Sequence, residues 1–199
     1  MPANKRYGVP PGPTKRQSGV AAVEFALVAV LFFTFVFGIV EVARAMYVFN
    51  TLQEVTRRAA RDAANTDFRD AAALALVRQR AVFRTAPGAL LLADPVSDAY
   101  IRIDYLAIQR GLEGSQTMLP IADANLPASA AENRRLCLAD PNDAQCIRLV
   151  RVRVCMPGED GCARAQFRTM LAFVELPLSL HSATTIVAAE SLGEIPGAP

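Results

Sequence analysis

Four cysteines, Cys137, Cys146, Cys155 and Cys162, fall within 26 positions, with eight, eight and six residues between neighbours. None forms the C-x-x-C pair of a zinc ribbon, so no metal is expected. An even set of close cysteines reads as disulfides in an oxidising compartment, or alternatively as small buried hydrophobes with free thiols. Three pairings are open. The turn segments Asp140-Pro141-Asn142-Asp143 and Pro157-Gly158-Glu159-Asp160-Gly161 favour Cys137–Cys146 and Cys155–Cys162. Each bond would close a short loop and add about 2–3 kcal/mol. A second feature is Glu24, the one ionisable residue between Val20 and Val40. A carboxylate at the centre of a membrane helix costs about 2.5–3.5 kcal/mol, and less near an end, where interfacial water reaches it.

Other polar residues carry less. His181 is the only histidine and has no second ligand or acid beside it in the alternating stretch Leu178-Ser-Leu-His-Ser182, so neither a catalytic nor a metal role is assigned. Asp140, Asp143, Glu159 and Asp160 could approach one another and hold calcium, but they lack EF-hand spacing and read as solvated turns. No phosphate-binding glycine loop and no nucleophile elbow occur. The chain is therefore read as no enzyme, with no cofactor and no small-molecule substrate.

The elements that position these groups begin with the run Val20 to Val40. Its 21 residues, at about 1.5 Å each, match the roughly 30 Å hydrocarbon core of a bilayer. A buried helix of a soluble protein rarely runs this long without polar residues. Lys5, Arg6, Lys15 and Arg16 precede the run and no acid does, which places the N-terminus in the cytoplasm and the rest beyond the membrane. The remaining 17 basic and 19 acidic residues make a mildly acidic body that gives no reason to expect nucleic acid. A secretory signal peptide ending at Ala43-Arg44-Ala45 competes with this reading, but its apolar region would be about 7–15 residues. Here the helical pattern also continues through the cleavage position. Val42, Met46, Phe49, Leu52, Val55, Ala59 and Ala63 recur with a mean spacing of about 3.5, and Glu54, Arg58 and Asp62 sit four apart on the outer face. With no Pro or Gly between Gly38 and Asn65, one helix is expected from about Val20 to about Asn65. The apolar face of its second half packs on the protein's own globular part, or alternatively forms a seam for neighbouring helices.

Arg69 to Arg84 reads as a second helix ended near Pro87-Gly88, and Tyr100 to Ile108 as a strand. Arg110 to Asn133 reads as loop. Ile147 to Cys155 alternates strictly, with Val150, Val152 and Val154 on one face and Arg151 and Arg153 on the other. Phe167 to Ala189 suggests one or two further strands, with a break or edge at Pro177. The expected fold class is α+β: a long N-terminal transmembrane helix continuing into a small antiparallel sheet domain. The expected organisation is a basic cytoplasmic leader (1–19), a membrane helix (20–40), its extension (41–65) and an extracytoplasmic domain (66–199).

Gly19, four residues, then Glu24 and Phe25 ahead of a long apolar helix resemble the processing site of type IV prepilins. More closely, Gly19-Val-Ala-Ala-Val-Glu-Phe-Ala-Leu-Val28, Gly38-Ile-Val-Glu41, Arg44, Asn50-Thr-Leu and Ala59-Ala-Arg61 resemble the TadE-like family, pseudopilins and pilus-assembly proteins of the tight-adherence (Flp) pilus system. The likeness covers about residues 16–61, and Val30 stands where the family often has Pro. The resemblance implies a pilin-like build, cleavage between Gly19 and Val20 by a prepilin peptidase, and pairing of Glu24 with the new N-terminal amine of a neighbouring subunit. It also implies the inner membrane and other pilus or pseudopilin subunits as partners. Uncut, the same helix is a plain anchor for an extracytoplasmic binding domain, with Pro10-Pro11-Gly12-Pro13 in a flexible tail.

Overall fold

The computed structural model describes residue 8 and residues 18–111, 114–158, 161–170, 179–180 and 182–194. The basic residues Lys5, Arg6, Lys15 and Arg16, the leader prolines, and Glu159, Asp160, Pro177 and His181 lie outside the described residues.

One helix, α1, spans Ser18–Asn65. It runs unbroken past Val30, which, unlike a proline, keeps its N–H in the helical ladder. By compactness the chain divides at Val40 into two units, residues 1–40 and 41–199. Among the described residues, one helix, Gly19–Asn65, is long and apolar enough to cross a membrane by length and composition, and its most apolar window is unburied.

The second unit is α+β. After α1 come α2 (Ala71–Ala81), β1 (Ile101–Arg110), β2 (Gln116–Pro120), α3 (Ala130–Ala139), β3 (Leu149–Val154) and β4 (Thr184–Ala188). The strands form one sheet in the order β2-β1-β3-β4, with every neighbouring pair antiparallel. Tyr105 stands opposite Val150 and Ile103 opposite Val152. The β3 alternation puts Val150, Val152 and Val154 into the core, where they join Val48, Leu52, Val55, Ala59 and Ala63 of α1. Alanines at the C-terminal end of that stripe leave room for the sheet. The hydroxyls of Thr56 and Thr185 meet at 2.9 Å, tying α1 to β4.

The helix buries a different stripe near its entry to this unit than the spacing predicts. Val42 and Met46 are 59% and 62% exposed, while Glu41, Arg44, Ala45 and Val48 are buried. At 3.6 residues per turn, Met46 lies about 120° from Leu52 around the helix, whereas Val48 and Ala45 stay on its face. A sequence rule that admits only apolar residues steps over Glu41 and Arg44.

The segment expected as loop between Arg110 and Asn133 contains β2 and the start of α3. The side chains of β2 are all exposed, so no alternation betrays it; backbone pairing with β1 makes it a strand. For α3 the signal was present: Ser129 caps the helix by accepting from Glu132 N–H at 3.2 Å, the S-x-x-E start pattern. Helix α2 begins after Asp70, whose carboxylate accepts from Ala72 and Ala73 N–H, and stops at Ala81, short of Arg84, as Phe83 takes φ 59°. In the C-terminal region, β4 and an isolated bridge between Gln166 and Ser179 are the described strand pairings.

The end of α1 has no basic residue in its last turn. Its terminal carbonyls are satisfied from a distance: Glu190 and Leu192 N–H donate to Ala64 O and Gly193 N–H to Asn65 O, each at 3.1 Å. Gly193 has φ 86°, and a Cβ there would stand 2.6 Å from Asp67 N. Only glycine fits that turn.

Candidate functional site

Gly19, Val20, Glu24 and Phe25 occupy the first two turns of α1, and all four are exposed. A Cβ at Gly19 would meet nothing within 4 Å, so the fold of the chain does not require glycine there. Around Glu24 the helix presents Val20, Val23, Phe25, Leu27 and Val28, all exposed. Among the described residues, Glu24 has no hydrogen bond or ion pair. A lone carboxylate on an apolar surface is stable in lipid only with water or an opposite charge brought to it.

A buried ionic clamp lies where α1 enters the second unit. Arg44 and Glu41 pair at 3.1 Å with side chains only 8% and 6% exposed. Arg44 Nε donates to Leu92 O at 2.8 Å, and Nη1 donates to Arg168 O at 2.6 Å as well as to Glu41. Its guanidinium also sits 4.6 Å from the centre of the Phe167 ring. Glu41 Oε1 accepts Met170 N–H at 2.9 Å. Two residues of one helix turn thus hold two remote loops. The planar fork of arginine suits this, because one side chain can serve several acceptors and still stack on a ring. In the sequence, Glu41 and Arg44 stand out as points of likeness, and Arg44 also within Ala43-Arg44-Ala45. The available signal was an acid and a base three apart, in phase with Val48 and Leu52.

Beside the same stretch of helix, an open groove of about 800 Å³ is lined by Tyr47, Thr51, Phe83, Leu90 and Leu91, among others. Arg58 pairs with Glu54 at 3.1 Å and stacks 4.5 Å from the Phe83 ring.

In the sheet domain, Cys137 is bonded to Cys146 and Cys155 to Cys162. The first bond ties α3 to the segment leading into β3. The second closes the turn after β3, where Met156 N–H also donates to Ala163 O at 2.9 Å. On the outer face of the sheet, Asp104 gathers Arg102 at 3.2 Å, Arg151 at 3.1 Å and Arg153 at 2.8 Å. The two guanidiniums of β3 hold it to the Asp104 carboxylate of β1 across the face opposite the core, with Arg102 of β1 beside them. Beneath them Tyr105 is buried, its hydroxyl has no hydrogen-bond partner, and burial pushes its pKa above the usual phenol value. Among the described residues no cluster of three or more His, Cys, Asp or Glu is arranged to hold a metal ion.

The features of interest are thus an apolar helix with one unpaired carboxylate, and an α+β domain clamped onto the continuation of that helix. Residues 19–61, under a quarter of the chain, match the family model described as TadE-like protein. That segment is similar to a family of pilus-assembly components and points to a component associated with a Tad pilus. No curated protein and no solved structure matches the chain.

Proposed function

We propose that the chain is a minor pilin-like component or assembly factor of a Tad/Flp-type pilus or related secretion apparatus. Residues 20–40 anchor it in the bacterial inner membrane, residues 1–19 form a cytoplasmic leader, residues 41–65 extend the helix and residues 66–199 form a periplasmic domain. The observation that carries the proposal is Glu24, an unpartnered carboxylate on an exposed apolar helix, five residues beyond a glycine that the fold does not need. A glycine with no internal reason suits an outside one: a narrow peptidase site that admits only a small residue before the cut. Hydrolysis of the Gly19–Val20 bond leaves a carboxylate on Gly19 and a free amine on Val20. Protonated, that amine supplies the charge that Glu24 of a neighbouring subunit lacks, and in lipid the pairing offsets the burial of both. Phe25 adds apolar surface beside the carboxylate.

N-terminal sequencing of protein from a host with its own pilus peptidase tests this. The mature chain is expected to begin at Val20. Gly19→Leu is expected to leave the leader attached, and Glu24→Ala to be cleaved yet fail to join the assembly. An intact terminus, with piliation unchanged in Gly19→Leu, would leave the helix as the tether of an extracytoplasmic binding domain.

A further inference from the structure

We propose that the second unit rests on the bilayer surface through a collar of apolar side chains formed by Val42, Met46, Leu91, Leu92 and Met170, a contact that rests on the membrane-spanning reading of α1. All five side chains are exposed, Leu91 and Met170 by 69% and 64%. Their position follows from the clamp. Leu92 is held through its carbonyl by Arg44, and Met170 through its N–H by Glu41, at 2.8 and 2.9 Å. Glu41 and Arg44 follow Val40 by one and four residues, a rise of about 1.5 and 6 Å along the helix. Val42 lies in the same interval, and Met46 is about 9 Å beyond Val40. The headgroup region outside the hydrocarbon core is about 5–8 Å deep on each side. A span that ends at Val40 therefore brings these residues into or beside that layer by distance alone.

The chemistry of the patch suits lipid. Leu91 and Leu92 are consecutive, and Leu92 holds φ 58°, a backbone conformation uncommon for a residue other than glycine. The bond from Arg44 to the Leu92 carbonyl holds that turn, and the leucine it displays is 53% exposed. Arg168, whose carbonyl is bound by Arg44, has an exposed guanidinium paired with Asp94 only at 3.9 Å. Leucine and methionine with a nearby arginine match the boundary between acyl chains and phosphates, where apolar groups sink and cations stay at the headgroups.

The protein contains no tryptophan, so single-tryptophan variants of the full chain report one position each. Leu91→Trp, Met170→Trp, Val30→Trp and Leu138→Trp are reconstituted in phosphatidylcholine–phosphatidylglycerol vesicles, with and without lipids brominated on the acyl chains. Leu138 lies on α3 and is 79% exposed, which makes it the remote control. Leu91→Trp and Met170→Trp are expected to lose about half or more of their emission to shallow bromines, with Leu138→Trp unaffected. Quenching of Val30→Trp with neither Leu91→Trp nor Met170→Trp quenched would overturn the collar and leave the span standing. Equal quenching of Leu138→Trp would overturn it as well. An unquenched Val30→Trp would instead remove the membrane reading on which the collar depends.

Discussion

Arg44 serves three acceptors and one ring from a buried position, which sets what its loss should do. Arg44→Ala leaves Glu41 charged and nearly dry, and leaves two carbonyls short of a donor. Breaking a buried pair in this way costs about 3–5 kcal/mol, a large share of a domain's total of about 5–15. Denaturant melts of the detergent-solubilised full chain should show it, and Arg44→Lys should recover little, since an ammonium lacks the fork and does not stack as a planar group. Tyr105 should behave in the opposite sense. Its hydroxyl is buried without a partner, so Tyr105→Phe removes an unmet polar group and keeps the edge-on contact with Phe68, whose ring centre is 5.7 Å away. Equal or higher stability is expected, by up to about 1–3 kcal/mol. The raised phenol pKa adds a pH signature. The folded chain keeps a proton that the unfolded chain releases near pH 10, so this contribution is whole below about pH 10 and declines as pH rises above it. Tyr105→Phe should flatten that alkaline decline.

At the scale of elements, the two disulfides and the C-terminal turn do the fastening. The loops closed by Cys137–Cys146 and Cys155–Cys162 are short, with sequence separations of nine and seven. Opening either by paired Cys→Ser substitution should lower stability by about 2–3 kcal/mol. Peptide mapping without reduction, on protein from its native compartment, should show these two linkages; four free thiols would contradict the oxidising location. Gly193 closes the other end of α1, and Gly193→Ala forces a Cβ to 2.6 Å from Asp67 N at a φ that alanine avoids. The expected loss exceeds about 1 kcal/mol, and hydrogen exchange should quicken at Glu190, Leu192 and Gly193, whose N–H groups hold the last carbonyls of the helix.

For the whole molecule the decisive test is the direction of the candidate membrane helix. The four basic residues ahead of Val20 and the absence of acids there predict a cytoplasmic N-terminus. A reporter active only outside the cytoplasm should work when fused after Pro199 and stay silent when fused before Lys5. The reverse pattern would remove the processing reading, because the proposed cut after Gly19 requires that residue on the cytoplasmic side. It would also contradict the disulfide assignment, since the cysteines would then face a reducing compartment.

The long helix, the strict strand at β3 and the α+β class were legible in the sequence because each rests on local pattern: an uninterrupted apolar run, a period of two, an absence of breakers. The places of Gly19 and Glu24 in the first turns of that helix followed from the same run. Residues whose environment is made by distant chain were not legible. The phase of Glu41 and Arg44 with Val48 and Leu52 does not by itself turn them inward, because the groups that satisfy them, Leu92, Arg168 and Met170, come from 48 to 129 positions away. The edge strand β2 has no buried side chain to mark it, and its identity comes from the backbone of β1. The glycine at 193 reads as an ordinary turn until α1 ends against it. Short-range periodicity reports which face a segment would bury. Which polar groups share that face, and which carbonyls cap a helix, depend on hydrogen bonds that form only when remote segments are brought together.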